Sequence, residues 1–130
     1  MPELYSIGWV LFGGGLGSAG RFILQRWASS YFGMGFPYGT MLVNIAGSLL
    51  IGFFFQWSEK SPLLNENTRL FLMTGLCGGF TTFSAITLES MLLMQEQKWP
   101  TLFLYIFLTI VLGITATLSG YWLAKTIIPH

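Results

Sequence analysis

The sequence predicts a single-domain, all-α integral membrane protein with four transmembrane helices, the third of them broken at a glycine-rich segment. Three observations lead to this prediction. Of 130 residues, 53% are hydrophobic and only 8% are charged, which is too little polar surface for a soluble globule of this size. Four apolar stretches of the roughly 20 residues needed to cross a bilayer occupy nearly the whole chain. Glycines interrupt the third stretch.

The first predicted span covers about residues 4–28. It has no Lys or Arg before Arg21, so it lacks the positive segment that precedes the apolar core of a cleaved secretory signal. We therefore expect this span to remain in the membrane. Turn-forming residues at 33–37 predict the loop that follows it.

The second predicted span covers about residues 39–57. Thr40, Asn44 and Ser48 recur every fourth residue, which places them on one face of a helix. A hydroxyl can bond back to a carbonyl of its own helix, but a helix cannot fully satisfy the carboxamide of Asn44. Asn44 is therefore expected to meet another helix or a ligand.

The third predicted span covers about residues 69–95 and follows a polar connection at residues 58–68. Three of the five residues from Gly75 to Gly79 are glycines, which weaken a helix that must satisfy every backbone N–H and C=O in lipid. Non-helical backbone persists at that depth only against protein or a water-filled path. Residues 75–84 are therefore predicted to break the helix beside something polar.

The fourth predicted span, about residues 101–124, contains no charged residue and ends at Lys125. The tryptophans mostly fall near the ends of the predicted spans, where interfacial belts form: Trp9, Trp27, Trp57, Trp99 and Trp122. The four spans thus follow one another with short connections and predict a multi-pass protein whose surroundings are the lipid bilayer.

Basic residues are nearly balanced between the two sides of the predicted membrane domain. Four spans put Lys60, Arg69 and Lys125 on one side and Arg21, Arg26 and Lys98 on the other. A positive-inside bias close to zero predicts that copies insert in both orientations and pair as an antiparallel, dual-topology homodimer. Insertion in a single orientation is the alternative. A homodimer is also expected because four helices cannot easily enclose a conduit and shield it from lipid.

Glycines spaced four apart predict close helix packing. The pairs are Gly13 with Gly17, Gly35 with Gly39, and Gly75 with Gly79.

Catalytic and nucleic-acid functions are not predicted. The only histidine is His130, the only cysteine is Cys77, and the acidic residues do not pair at a useful spacing. The glycines at residues 13–17 lack the Lys-Ser/Thr of a phosphate loop. A net charge of +1 without a basic cluster gives no footprint for nucleic acid. The chain is therefore not expected to be an enzyme.

The polar groups within the predicted spans are mostly hydroxyls and one amide, which suit a small anion better than a cation. Neutral O–H and N–H donors, together with the positive ring edge of a residue such as Phe83, can replace water around an anion. Glu89 is either a functional carboxylate or an end-of-span group that reaches water. Arg21 either attracts anions or extends to the interface.

Two motifs carry a resemblance to a known family. Residues 39–44 (GTMLVN) and 75–84 (GLCGGFTTFS), with Glu89 beyond them and Gly20-Arg21 in the first span, resemble the Fluc (CrcB) family of fluoride channels. The resemblance covers all four predicted spans. It implies that two pores of an antiparallel homodimer in the inner (plasma) membrane export cytoplasmic fluoride passively. It also implies a structural Na⁺ held by the backbone carbonyls of Gly78 and Thr81.

The same resemblance implies a set of fluoride-pore residues. Asn44 is the expected pore amide and Phe83 the first ring of a phenylalanine box. The remaining candidates are Arg21, Thr40, Ser84, Thr87, Glu89, Tyr105, Thr109 and Thr117. The chain departs from the family at Ile86, where a second phenylalanine is usual, and at Gly113, where a serine is common. Because isoleucine has no polar ring edge, Ile86 is expected to contribute fit alone, and permeation is expected to persist.

Two other functions remain open on the sequence alone. A small proton-coupled exporter, similar to the small multidrug resistance family, would share four short spans and dual topology. That alternative depends on Glu89, because the first span has no acidic residue after Glu3. The other is a structural assembly subunit held together by glycine packing.

Overall fold

Four helices long and apolar enough to cross a membrane make up the computed structural model, which describes residues 2–129. The lone histidine, His130, lies outside the described residues. The helices are α1 (Pro2–Phe32), α2 (Tyr38–Lys60), α3 (Glu66–Gln95) and α4 (Trp99–Ile127). Each contains one predicted span and extends a few residues beyond it at one or both ends. The predicted all-α membrane fold is confirmed.

Helix α3 consists of two halves, α3a (residues 66–80) and α3b (Phe83–Gln95). Between them Thr81 and Thr82 are extended, with φ/ψ of −83°/155° and −148°/117°. Most of α3a, Leu70–Cys77, is π-helical, a wide form of helix that is often found at functional sites. The predicted break is thus confirmed, but it lies at two threonines, and the preceding glycines are helical.

The glycines of α3a allow close packing against α1. A Cβ on Gly75 would lie 2.9 Å from the carbonyl oxygen of Val10, and one on Gly79 would overlap the carbonyl of Gly14. Gly13 and Gly17 of α1 are equally close to the backbone of α3a. Glycine is required here because the two backbones touch, so the packing predicted for both pairs is confirmed.

Helices α2 and α4 form a second closely packed pair. A Cβ on Gly52 would overlap the carbonyl of Thr117, and one on Gly120 would overlap that of Leu49. The predicted pairing of Gly35 with Gly39 is wrong, because Gly35 lies in the loop after α1 with open space around it. The bundle therefore consists of two glycine-packed pairs, α1 with α3a and α2 with α4.

Helix α3b packs against α4 through a small apolar cluster. Leu93, Leu102 and Tyr105 are its buried members, and Ile86 and Met41 pack against it. This cluster fixes α3b beside α2 and α4, so that the polar face of α2 and the start of α3b lie next to each other.

Candidate functional site

The extended backbone at the α3 break is held by the side chain of Asn44. The amide Nδ2 of Asn44 donates to the carbonyl of Thr82 at 3.1 Å, and the N–H of Thr82 donates to Asn44 Oδ1 at 2.7 Å. Asn44 is 8% exposed. Its carboxamide therefore replaces the hydrogen bonds that a continuous helix would have made at Thr82. This contact supplies the second-helix partner that the sequence required of Asn44.

The next half-helix begins with a side-chain cap. The hydroxyl of Thr82 accepts a hydrogen bond from the backbone N–H of Ala85 at 3.2 Å, as expected of a threonine at a helix N-cap. It also lies 3.3 Å from the hydroxyl of Ser84. The break is therefore stabilised by specific donors and acceptors on both sides.

Arg21 bonds to the opposite side of the break. Its Nε donates to the carbonyl of Gly79 at 3.1 Å, and the hydroxyl of Ser18 lies 3.4 Å from the same oxygen. In a continuous helix this carbonyl would accept from the N–H of Phe83, which lies beyond the break. Arg21 thus satisfies a carbonyl that the break would otherwise leave without a donor.

The carbonyls of Gly78 and Thr81 have lost their usual helical donors. Those donors would be the N–H groups of Thr82 and Ala85, which bond to side chains instead. Gly78 is exposed and Thr81 half-buried. Carbonyl oxygens suit a hard cation such as Na⁺, and the residues present therefore fit the predicted ion. Within residues 2–129, no cluster of His, Cys, Asp or Glu forms a metal site.

A cleft of about 680 Å³ opens along the break between α2, α3 and α4. We call it the break cleft. The side chain of Phe83 belongs to its lining and is 77% exposed. Of the residues expected to line a pore or hold an ion, these line the cleft: Asn44, Gly78, Thr81, Phe83, Ile86, Thr87 and Thr109. The break therefore brings the predicted amide, ring and several hydroxyls to one surface.

The predicted hydroxyls differ in their bonding. Thr87 donates to the carbonyl of Ser84 at 2.9 Å, and Thr117 donates to that of Gly113 at 3.1 Å. Both bonds lie within their own helices. By contrast, the hydroxyls of Thr109 and Ser90 are buried without a hydrogen-bond partner among residues 2–129, and both residues line the break cleft. Thr117 does not belong to that lining.

A second polar cluster surrounds Glu89, which the sequence placed near the end of the third span. The Thr40 hydroxyl donates to Glu89 Oε1 and the Tyr105 hydroxyl to Oε2, each at 2.6 Å. Gln25 Nε2 donates to the Thr40 hydroxyl oxygen at 3.1 Å. Thr40 is 2% exposed and Tyr105 0%. The cluster thus combines one residue from each of the four helices, with Gln25 joined to Glu89 through Thr40.

This cluster borders a separate cavity of about 510 Å³, which we call the end pocket. Gln25, Thr40 and Glu89 line it, together with loop residues 33–37 and the charged Glu96 and Lys98. Most of the predicted site residues therefore line the break cleft or the end pocket, and Tyr105 reaches the end pocket through Glu89. Arg21, Ser84 and Thr117 line neither cavity.

Sequence reasoning missed Gln25, Ser90 and the structural role of Thr82. Gln25 follows Arg21 by four residues, which places both on one face of α1, and this spacing was a signal that the sequence contained. Ser90 follows Glu89 directly and has no distinguishing pattern. The position of the break at Thr82 depends on Asn44, a contact between residues far apart in sequence.

A four-helix membrane bundle with a broken helix and hydrogen-bond donors along an internal cleft defines a membrane transport protein. The family described as CrcB-like protein, Camphor Resistance (CrcB), matches residues 8–121. The chain belongs to this family.

Three relatives share the printed name fluoride-specific ion channel FluC. The protein from Flavobacterium psychrophilum is 44% identical over 92% of this chain and 97% of its own length. The one from Aquifex aeolicus is 42% identical over 91% of this chain and 95% of its own. The protein from Bacteroides fragilis is 43% identical over 90% of this chain and 94% of its own length.

Proposed function

We propose that the chain is a passive fluoride channel of the inner (plasma) membrane, which exports cytoplasmic fluoride through two pores of an antiparallel homodimer. The observation that carries the fluoride assignment is the match, over most of the chain, to relatives named as fluoride-specific ion channels. Membership of the CrcB family supports the same assignment. The chain is an ion channel and not an enzyme.

The break cleft offers fluoride neutral donors in a surface that is otherwise largely apolar. Asn44 uses one amide hydrogen on Thr82, and a carboxamide has a second. The exposed Phe83 can present its positive ring edge, and the hydroxyl of Thr109 has no hydrogen-bond partner in the part of the chain that the structure describes. These groups would replace part of the hydration shell without a fixed positive charge that would bind the ion too tightly.

The dimer is supported by how open the break cleft is in one copy. A ring that is 77% exposed and a cleft that opens to one side leave the donors without a wall facing lipid. A second copy in the opposite orientation would bury this surface and give two equivalent paths related by symmetry. The nearly balanced basic residues favour insertion in both orientations.

The proposed structural Na⁺ would be held by the carbonyls of Gly78 and Thr81, which the break leaves without their helical donors. When bound, the ion would supply a positive charge that neutralises these carbonyl dipoles. The chain itself supplies the oxygens, and Asn44 fixes the backbone that carries them.

The exporter alternative gains no support from this arrangement. It depended on Glu89, whose carboxylate oxygens each accept a hydrogen bond from a buried hydroxyl. The relatives are named as channels, and none of the three names mentions a proton-coupled exporter.

A fluoride electrode outside liposomes that contain the purified protein tests the proposal. We expect fluoride release that follows the fluoride gradient, needs no pH gradient, and is lost on removal of Na⁺. Phe83→Ala and Asn44→Ala should reduce release strongly, whereas Thr115→Val, which removes a hydroxyl bonded within its own helix, should leave it unchanged. Release only under a pH gradient would favour the exporter, and no release from any variant would favour a structural subunit.

A further inference from the structure

We propose that Gln25 is a positioning residue for fluoride passage, because it directs the hydroxyl of Thr40 toward Glu89. The inference rests on the proposed function, and it assigns a role to a residue of α1 that does not line the break cleft. Gln25 acts through Thr40 alone.

The hydrogen bonds have only one consistent direction. Gln25 Nε2 is a donor, so the Thr40 hydroxyl oxygen accepts at 3.1 Å and its single hydrogen remains for Glu89 Oε1 at 2.6 Å. A threonine hydroxyl rotates to suit its partners, and the amide donor of Gln25 takes up its acceptor side. The amide of Gln25 thereby orients the Thr40 hydroxyl so that its hydrogen points at the carboxylate of Glu89.

Backbone packing fixes Gln25 above Thr40. A Cβ on Gly39 would lie 3.1 Å from the Cα of Gln25 and 3.2 Å from its carbonyl oxygen, so α1 and α2 touch at this point. Thr40 is the next residue and is 2% exposed, which leaves its hydroxyl little access to water. The amide of Gln25 is therefore the donor that the local packing presents to Thr40.

The consequence for fluoride is electrostatic. The carboxyl group of Glu89 lies on the wall of the end pocket, where its oxygens present negative partial charge to an anion that passes. Hydrogen bonds from Thr40 and Tyr105 spread this charge onto two buried hydroxyls. When Thr40 turns away, one carboxylate oxygen loses its donor and repels fluoride more strongly.

Fluoride release from liposomes tests this role with the variants Gln25→Leu, Thr40→Val and the double variant. Each single change should slow release by a factor of about 3 to 10, the effect of one lost hydrogen bond. Gln25→Leu should have no further effect in Thr40→Val protein, because the hydroxyl that it positions is gone. Gln25→Glu replaces the amide donor with a carboxylate, which can only accept hydrogen bonds and would compete with Glu89 for the Thr40 hydrogen. This variant should therefore slow release more than Gln25→Leu. Gln95→Leu is the matched control, since Gln95 is exposed at the end of α3b, and it should match wild type.

Infrared difference spectra supply a readout that does not depend on transport. The carboxylate band of Glu89, assigned by its loss in Glu89→Gln, should shift in Gln25→Leu and should not shift further when Thr40 is already valine. Equal slowing of release by Gln25→Leu in both backgrounds, or an unshifted band, would overturn the proposal and leave Gln25 a packing residue. If wild-type protein releases no fluoride, the proposed function fails, while the band still decides whether Gln25 positions Thr40.

Discussion

Asn44 shows how one side chain can be both structural and available to an ion. Its carboxamide both donates to and accepts from the backbone of Thr82, as the backbone of a neighbouring β-strand would. One amide hydrogen remains, because a carboxamide has two. Any substitution of Asn44 is therefore expected to have two effects, one on the stability of the break and one on the passage of fluoride.

These two effects of Asn44 are separable by substitution. Asn44→Leu removes both bonds to Thr82 and leaves a buried N–H and C=O unpaired, at a cost of about 1–3 kcal/mol for each group. Asn44→Asp keeps an acceptor for the Thr82 N–H but faces its carbonyl with a second acceptor. We expect both variants to unfold at a lower temperature in detergent, with Asn44→Leu also unable to release fluoride. Thr115→Val serves as control, because its hydroxyl bonds within α4. Unchanged melting of Asn44→Leu would contradict this account.

Substitution of Thr109 should not lower the melting temperature, in contrast to substitution of Asn44. Its buried hydroxyl has no hydrogen-bond partner in the described chain, so valine removes an unsatisfied polar group of the same shape. We expect Thr109→Val to melt at the same temperature as wild type or above it, while fluoride release falls. The comparison with Thr115→Val, measured in the same two assays, separates this effect from a general loss of hydroxyls. A large loss of stability would show that Thr109 has a structural partner.

At the level of single residues, the sequence predicted types of contact better than partners. The carboxamide of Asn44 had to meet a second helix, and the reason is chemical, so it could be read from the residue alone. That Glu89 would accept from both Thr40 and Tyr105 depends on how three helices pack. The roles in fluoride passage assigned to these residues stay predictions.

Among the elements, the broken helix α3 combines two structural devices in neighbouring segments. The glycines of α3a bring its backbone against α1, and the two threonines after them open the helix. The sequence favoured the glycines as the cause of the break because glycine is a poor helix former. In the structure the same residues are helical, since close packing of two backbones requires them. The break occurs where side chains supply the missing hydrogen bonds.

Glycine packing between α2 and α4 gives an element-scale prediction. A Cβ on Gly52 would overlap the carbonyl of Thr117, so Gly52→Ala must push the two helices apart. We expect a loss of about 1–3 kcal/mol in the free energy of unfolding, as for other overpacked sites. Gly15→Ala, in α1 with open space around it, is the matched control and should be neutral or slightly stabilising. Denaturation in mixed micelles measures both, and equal stability of the two variants would contradict the close approach of α2 and α4.

For the whole molecule, composition and length were enough to predict four membrane spans. Each span is an apolar run bounded by polar or turn-forming residues, and no tertiary contact is needed to recognise it. The pairing of α1 with α3a and of α2 with α4 was not predicted, because glycine spacing identifies a packing face but not its partner. The proposed arrangement of two copies follows from charge balance and from the open break cleft, and it therefore needs a test of its own.

That test changes the charge on one side of the membrane at a time. Leu63, in the α2–α3 connection, is 89% exposed, and Met34, in the α1–α2 loop on the other side, is 90% exposed. Leu63→Lys with Asn67→Lys should fix one orientation, and Met34→Lys with Gln95→Lys the other, because cytoplasmic loops carry the excess of Lys and Arg. Each added charge lies outside the break cleft, so folding of the single chain should not suffer.

Expressed alone, each charge variant should insert in one orientation and fail to protect cells from fluoride, because an antiparallel pair needs both. Expressed together, the two variants should restore protection, since each supplies the orientation that the other lacks. Tags at the chain termini, read for accessibility from each side, check the orientations, and wild type should give both. The charge-neutral changes Leu63→Gln with Asn67→Gln are the control and should behave as wild type. Full protection by either charge variant alone, with a single orientation confirmed, would contradict the antiparallel dimer and favour pores formed by parallel copies.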